Sequence, residues 1–171
     1  MKRLLILFFF LGISYSQSME ISDSEIRYHG IHPLHEWTGI STSASGKVSY
    51  DQSTNSGSIV VSVPLNSFDS KVYARDSNML THTEAIDFPF VVFKSDNASI
   101  EQDSLYVNGM LTFHGITKEI SVVASITQQN DFRVNGAFSI NLSDYNVPRP
   151  SLLFININDE IRIDYEFTIT Q

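Results

Sequence analysis

Histidines are the first side chains whose spacing suggests chemistry. His29, His32 and His35 lie three residues apart, and imidazole is a common zinc ligand. On one extended strand, His29 and His32 would face opposite sides. Pro33 bends the chain, so convergence of the three rings stays open. Because surface and turn positions explain the same histidines, the sequence predicts no metal site here.

A second polar group offers equally little support for catalysis. His82, Glu84 and Asp87 could be gathered into a metal or acid–base site, but nothing in their spacing requires it. The serines lack the G-x-S-x-G elbow of a hydrolase, and no pattern fixes a Ser, His and Asp geometry. We therefore predict a protein without a cofactor that is not an enzyme, with a hydrolase or isomerase as the less favoured alternative.

Four basic residues could bind an anionic group, because Lys and Arg donate charge-assisted hydrogen bonds to phosphate oxygens. For Arg75, a local ion pair with Asp76 or a neighbouring carboxylate is the favoured alternative. No basic cluster is present, so a neutral partner fits better than an anionic one. The four basic residues are Lys71, Arg75, Lys118 and Arg149.

The first sixteen residues have the pattern of a secretory signal peptide. Lys2 and Arg3 precede an apolar run, residues 4–13, that is too short to span a bilayer. Small residues at Ser14 and Ser16 predict cleavage after Ser16, with a buried N-terminal strand as the alternative. We expect a periplasmic or secreted protein whose domain covers residues 17–171. The chain has no cysteine, so neither a lipid anchor nor a disulfide framework is expected.

Net charge and hydropathy restrict the partners. Removing Lys2 and Arg3 with the leader changes the formal net charge from −8 to −10. Such a surface repels nucleic acid and anionic lipid head groups. No later run approaches the length of a membrane span, so stable membrane insertion is not expected.

Residues 105–126 predict a β-hairpin with a two-residue turn at His114 and Gly115. Apolar residues alternate with polar ones on both sides of that turn, which is typical of strands with one buried face. A slip of one residue would place the two apolar faces on opposite sides, so the register is well specified. The predicted pairs are Phe113 with Ile116, Gly109 with Ile120, and Val107 with Val122.

The same alternation predicts about eight strands in all, with short turns between them. A helix over 71–80 is expected to place Val72, Tyr73, Met79 and Leu80 on one face. Because no crossover helices are available, the strands are antiparallel, in an up-and-down barrel or a sandwich. The remaining strands are predicted at 24–32, 36–50, 58–65, 88–95, 132–142 and 161–169.

Several segments match the motifs of one protein family. The strongest is GMLTFHGITK at 109–118, supported by FPFVVFKS at 88–95, NLSDY at 141–145 and DEI at 159–161. In these segments the chain resembles the YceI-like family of exported, lipocalin-like bacterial proteins. Arg75-Asp76 within 69–79 also fits, although Ser77 and Asn78 stand where the family usually has a His. HPLHEWTGIS at 32–41 is a further departure. The resemblance covers essentially the whole chain after the leader.

This resemblance implies an eight-stranded antiparallel, lipocalin-like barrel with an elongated apolar interior, in which some members hold a polyisoprenoid chain, including quinone or diphosphate forms. We therefore expect an exported binding or carrier protein for a long apolar molecule such as an isoprenoid, a quinone or another lipid. The four basic residues named above are the head-group candidates. Because they form no cluster, a neutral head such as a quinone or an alcohol fits better than a diphosphate. Alternation along the strands selects the residues expected to line the ligand site. They are Trp37, Val61, Val63, Met79, Phe93, Leu111, Phe113, Ile120, Val122, Phe138, Ile140, Ile163 and Phe167.

A solid barrel is the alternative, because apolar inward faces can equally fill the interior of an eight-stranded barrel. Such a protein would act through its surface, as an interaction or stress-related structural protein without a ligand. Its connection at 144–158 carries an apolar patch, residues 152–155. That patch could bind a partner or form a homodimer, close the barrel mouth as a lid, or pack as a strand in the wall.

Overall fold

A computed structural model describes residues 17–170 and consists mainly of β-strands. In this part of the chain, one α-helix, α1 (Tyr73–His82), and two short 3₁₀ helices at Leu65–Ser67 and Leu142–Tyr145 interrupt the strands. The strands are β1 (Gln17–His32), β2 (His35–Ser41), β3 (Ser45–Asp51), β4 (Ser56–Pro64), β5 (Phe90–Glu101), β6 (Ser104–Phe113), β7 (Ile116–Gln128), β8 (Phe132–Asn141), β9 (Ser151–Leu152), β10 (Ile155–Asn156) and β11 (Glu160–Thr170).

The main sheet closes on itself as an antiparallel barrel. Each strand from β3 to β7 pairs with the next along the chain, β8 pairs with β11, and β11 pairs with β1. β2 and β3 both pair with β1, at residues 26–32 and 17–20 respectively, so together they occupy one position in the wall. The wall therefore has eight strand positions, and the predicted eight-stranded antiparallel barrel is confirmed.

The register of the β6–β7 hairpin is the predicted one. Phe113 pairs with Ile116 and Val107 pairs with Val122. His114 and Gly115 form the turn with φ values of 49° and 71°. Two positive φ values are typical of the type I′ turn, which follows the twist of the strands it joins.

One predicted strand, over 36–50, is broken at residues 42–44. Side-chain hydroxyls replace the missing ladder bonds there. The Ser43 N–H donates to Ser41 Oγ at 3.2 Å, and the Ala44 N–H donates to Ser24 Oγ at 3.1 Å. The break lets one long segment follow the curved wall, which period-two alternation cannot indicate.

The helix begins two residues later than predicted, and its expected single apolar face is wrong. Met79 and Leu80 pack against the core, whereas Val72 and Tyr73 are exposed. Val72 has an extended backbone with φ −134°, so it precedes the helical periodicity. Across residues 17–170, the structure contains no helix with the length and apolar character needed to traverse a bilayer.

The two ends of the barrel differ in construction. One end, here called the helix end, carries the β1–β2 turn, α1, the β6–β7 turn and residues 142–159. The other, the turn end, carries the short turns at 52–55, 102–103 and 129–131. β9 and β10 form a separate two-stranded sheet at the helix end, so the interpretation of this segment as a strand of the wall is wrong.

Candidate ligand-binding cavity

The barrel is hollow. A cavity of about 570 Å³ lies inside it, within the range of roughly 300–1,000 Å³ found for small-molecule sites. Buried clusters pack at both ends, around Leu142, Tyr145 and Ile161 at the helix end and around Met19 and Ile169 at the turn end. Many inward side chains between them are only half-buried because they border this void.

All thirteen residues that alternation selected lie on the wall of this cavity. They come from seven strands and α1, so the barrel brings together positions that are distant in sequence. Their contact with a ligand stays a prediction. They are Trp37, Val61, Val63, Met79, Phe93, Leu111, Phe113, Ile120, Val122, Phe138, Ile140, Ile163 and Phe167.

Sequence reasoning omitted several inward residues that line the same cavity. Ile26 and Tyr28 of β1, Ile59 of β4 and Tyr165 of β11 are examples. The alternation that identified their neighbours includes these positions too. Tyr165, for instance, lies between Ile163 and Phe167 on the inward face of β11, so the signal was present.

Four aromatic rings of the lining each lie over a glycine. In every pair, a Cβ added to the glycine would clash with the ring. The missing side chain therefore makes room for an aromatic ring flat against the wall. The pairs are Trp37 over Gly30, Tyr28 over Gly39, Phe93 over Gly109, and Tyr165 over Gly136.

Two tyrosine hydroxyls lie in this apolar interior. Burial raises the pKa of Tyr165 to about 12, and burial also raises the pKa of Tyr28. Both are neutral phenols near neutral pH. The Tyr28 hydroxyl is buried and forms no hydrogen bond of acceptable geometry with any described residue. The neighbouring Trp37 indole can only donate, so the Tyr28 proton lacks an acceptor.

The cavity opens at the helix end. Six lining residues are exposed to solvent, and all six lie on the β1–β2 hairpin, on or beside α1, or on β9. Every lining residue from the turn end is at least half-buried. The mouth of the cavity is thus bordered by those three segments. The exposed lining residues are His35, Val72, Ala74, Asn78, Ser151 and Leu152.

Arg75 is the one predicted head-group residue that lines the cavity. Its guanidinium carbon lies 5.3 Å from the centre of the Trp37 ring, and Nη1 donates to the Ser70 carbonyl at 3.4 Å. The predicted alternative of an ion pair with Asp76 does not form, and the Asp76 carboxylate accepts the Ser70 N–H at 3.0 Å. Within residues 17–170, no carboxylate forms an ion pair with Arg75.

The other three head-group candidates are not part of the cavity wall. Each has a carboxylate partner elsewhere on the protein, so none is directed at a ligand inside the barrel. The ion pairs are Lys71 with Asp69 at 2.7 Å, Lys118 with Asp144 at 2.7 Å, and Arg149 with Asp159 at 4.0 Å.

The three closely spaced histidines separate in the structure. His29 Nε2 lies 2.6 Å from a carboxylate oxygen of Asp164, and its Nδ1 lies 3.1 Å from the Thr38 hydroxyl. His32 and His35 lie together at the mouth, with ring centres 5.6 Å apart. Over the described residues, no group of three or more potential metal ligands converges.

The second polar group does not assemble either. His82 lines the cavity mouth, whereas Glu84 lies 3.3 Å from Nε2 of His114. His114 Nδ1 lies 2.9 Å from the Tyr145 carbonyl oxygen, so this residue helps to attach the β6–β7 turn to the 3₁₀ helix beside it.

Hydrogen bonds fix the segment that borders the mouth. The Asp159 carboxylate accepts both the hydroxyl and the N–H of Ser143, and these bonds lower the pKa of Asp159. The Asn158 N–H donates to the Ile31 carbonyl at 2.8 Å. His32 Nε2 lies 3.2 Å from the Ile155 carbonyl oxygen. The β9–β10 hairpin is therefore held against the end of β1.

A family model described as "YceI-like domain" matches residues 18–169. Solved structures that share the fold include three that differ in source. BcnA from Burkholderia cenocepacia is 19% identical with a TM-score of 0.77, and the match covers 86% of this chain and 96% of that one.

A polyisoprenoid binding domain from Saccharophagus degradans, implicated in plant cell wall breakdown, is 14% identical with a TM-score of 0.71, covering 89% of this chain and 97% of that one. The YCEI protein from Campylobacter jejuni is 16% identical with a TM-score of 0.59, covering 99% and 93%. No curated protein sequence matches this chain significantly.

Proposed function

Because the chain belongs to the YceI-like family, we propose that it binds and carries a long apolar molecule, of the isoprenoid class, inside its barrel. The observation that carries this proposal is the cavity of about 570 Å³ with an almost wholly apolar wall. Apolar side chains around a void of this size would shield a hydrocarbon tail from water.

Tail burial supplies enough free energy for such a function. Each five-carbon unit withdrawn from water gains up to about 4 kcal/mol at roughly 0.8 kcal/mol per CH₂-sized group. Association entropy takes back part of that gain. A few units are therefore enough for useful affinity. The similar fold of the Saccharophagus degradans polyisoprenoid binding domain supports the isoprenoid class.

The polar groups at the helix end favour a neutral head that carries an acceptor oxygen. The Tyr28 phenol has a proton without an acceptor, and Arg75 stands at the mouth without a carboxylate partner among residues 17–170. A quinone carbonyl or an alcohol oxygen could accept from either group. A diphosphate would call for several cations, and Lys71, Lys118 and Arg149 are engaged elsewhere.

Export is part of the proposal. The basic start and short apolar run within residues 1–16 are typical of a cleaved secretory leader. These residues lie outside the part of the chain that the structure describes. A carrier of this kind would work in the periplasm or outside the cell, where an isoprenoid tail needs protection from water.

Binding explains the interior better than the alternatives do. A solid barrel would have no cavity, whereas this one is hollow. A hydrolase or isomerase would need reactive groups gathered around the substrate, and the lining between the two ends of the barrel is composed of aliphatic and aromatic residues.

Fluorescence of Trp37, the only tryptophan in the sequence, provides the test because its ring lines the cavity. Purified protein is titrated with a benzoquinone bearing an isoprenoid tail and, in parallel, with the same ring lacking a tail. We expect saturable quenching by the tailed compound, with affinity rising with tail length. Equal, weak quenching by both compounds would overturn the proposal.

A further inference from the structure

Large apolar or aromatic side chains project into solvent at the helix end, the end of the barrel that bears the cavity mouth. Of the six such side chains in residues 17–170 that are more than half exposed, five lie at the helix end; the sixth is Val123 on the barrel wall. We call the five the apolar rim. They are Leu34 at 60% exposure, Tyr73 at 88%, Ile86 at 97%, Leu153 at 70% and Phe154 at 103%.

The opposite end of the same barrel provides an internal comparison. Its turns, residues 52–55, 102–103 and 129–131, read QSTN, QD and QND and contain only polar side chains. Exposed turns in proteins are usually polar in this way. The apolar rim is therefore a property of the end that bears the mouth.

The tip of the β9–β10 hairpin is formed by residues poorly suited to a turn. Leu153 and Phe154 have φ values of 51° and 66°. Both positions of such a two-residue turn favour Asn, Asp or Gly, and a positive φ is unusual for bulky residues. Folding alone would favour an Asn-Gly pair here, so an apolar pair indicates a role outside the folded core.

The base of the hairpin is anchored, and an apolar path connects it with the cavity. Leu152 pairs with Ile155, and His32 Nε2 contacts the Ile155 carbonyl oxygen at 3.2 Å. Leu152 also lines the cavity. Exposed Leu153 and Phe154 thus continue directly from a residue that faces the ligand site.

We propose that the apolar rim docks the mouth of the barrel onto the surface of a zwitterionic lipid bilayer, which has no net charge. The rim comes from four separate segments of the helix end. A fluid bilayer can accept such separate side chains, whereas a rigid protein partner needs a complementary surface. This inference rests on the proposed function, because an isoprenoid must exchange with an apolar phase.

The negative charge of the protein determines which lipid composition it can bind. The formal net charge of the sequence is −8, and Glu84 and Asp87 stand beside Ile86 in the rim, whereas Arg75, the cation at the mouth, faces the Trp37 ring. An anionic membrane would repel the net negative charge and the two carboxylates within about one Debye length of its surface. We therefore expect docking to zwitterionic lipid and weaker docking to a mixture that contains anionic lipid.

Co-sedimentation with vesicles tests the proposal. The protein is mixed with phosphatidylcholine vesicles or with phosphatidylcholine and phosphatidylglycerol vesicles. The double variant L153N/F154G should bind phosphatidylcholine at least about tenfold more weakly, because two apolar side chains leave the interface. Its thermal midpoint should match or exceed that of the wild type, because Asn-Gly suits the turn. V123T, a polar change on the barrel wall, should leave vesicle binding unchanged.

Three results would overturn docking. They are no vesicle sedimentation by the wild type, equal sedimentation of L153N/F154G, or a dimer in light scattering that needs the tip residues while vesicles stay unbound. Quinone quenching of Trp37 in vesicle-free solution is measured on the same samples. If quenching persists while vesicle binding fails, docking is wrong and the carrier proposal stands.

Discussion

The indole ring of Trp37 lies directly over the α-carbon of Gly30, its cross-strand partner on β1. Gly30 has no Cβ, so the ring can lie against the wall and border the cavity mouth. The Arg75 guanidinium faces the same ring at 5.3 Å. One missing side chain thus sets the position of two residues at the mouth.

Gly30→Ala should destabilise the protein, although alanine normally improves a strand position. The added Cβ clashes with the Trp37 ring, and overpacking of this kind costs about 1–3 kcal/mol. The free energy of unfolding in urea and the Trp37 emission spectrum should both change. In a Trp37→Ala background the same substitution should be neutral or stabilising. Unchanged emission and stability in the single variant would show that the ring does not rest on Gly30.

Tyr28→Phe should affect the empty and the loaded protein differently. The Tyr28 hydroxyl has no acceptor among the described residues, so its removal should leave the free energy of unfolding unchanged or raise it by up to about 1 kcal/mol. Binding of a tailed quinone should weaken about threefold to tenfold, the value of one hydrogen bond. Squalene, which lacks an oxygen, serves as the control and should bind both proteins equally. An equal loss of squalene affinity would show that the Tyr28 hydroxyl does not take part in head-group recognition.

Val61→Phe should block the cavity without damaging the barrel. Val61 faces inward on β4 and lines the cavity, whose volume of about 570 Å³ leaves room for a larger ring. Filling a void adds contacts, so the thermal midpoint should stay the same or rise. Affinity for a tailed quinone should fall at least about tenfold. Val60→Phe on the outward face of the same strand is the matched control, and parallel losses in both variants would contradict a site inside the barrel.

Tyr165 should make stability depend on alkaline pH. Burial raises the pKa of Tyr165 from 10.0 to about 12, so the unfolded chain ionises first. The stabilising contribution is complete below pH 10 and is lost as the pH rises towards about 12. Tyr165→Phe should flatten this decline in urea denaturation measured across that range. Tyr106→Phe on the outer wall should follow the wild type, and a parallel decline of all three proteins would contradict the buried phenol.

The alternation of apolar and polar residues was sufficient to predict the strands of the barrel wall and their inward side chains. The alternation in residues 105–126 specified the β6–β7 register, because any slip would have reversed the apolar face. The same rule placed Phe93, Ile120 and Phe138 on the cavity wall. Each of these inferences needs only the direction of side chains along a strand.

The residues at the cavity mouth could not be predicted from alternation along the strands. His35, Asn78 and Leu152 border it because a turn, a helix and a hairpin meet at one end of the barrel. The sequence could not predict a hollow interior either, since that depends on how far opposite inward side chains reach across the barrel. The Tyr28 hydroxyl is the clearest case, because its lack of an acceptor is a property of the packed structure.

Native mass spectrometry of the purified protein tests the central claim most directly. The protein is produced with its leader in cells that make isoprenoids and is sprayed without denaturation, then again in organic acid. We expect the native mass to exceed the polypeptide mass by a neutral molecule built from five-carbon units, which is lost on denaturation and absent from Val61→Phe. A native mass equal to that of the bare polypeptide, before and after incubation with polyprenol and tailed quinone, would contradict the carrier account.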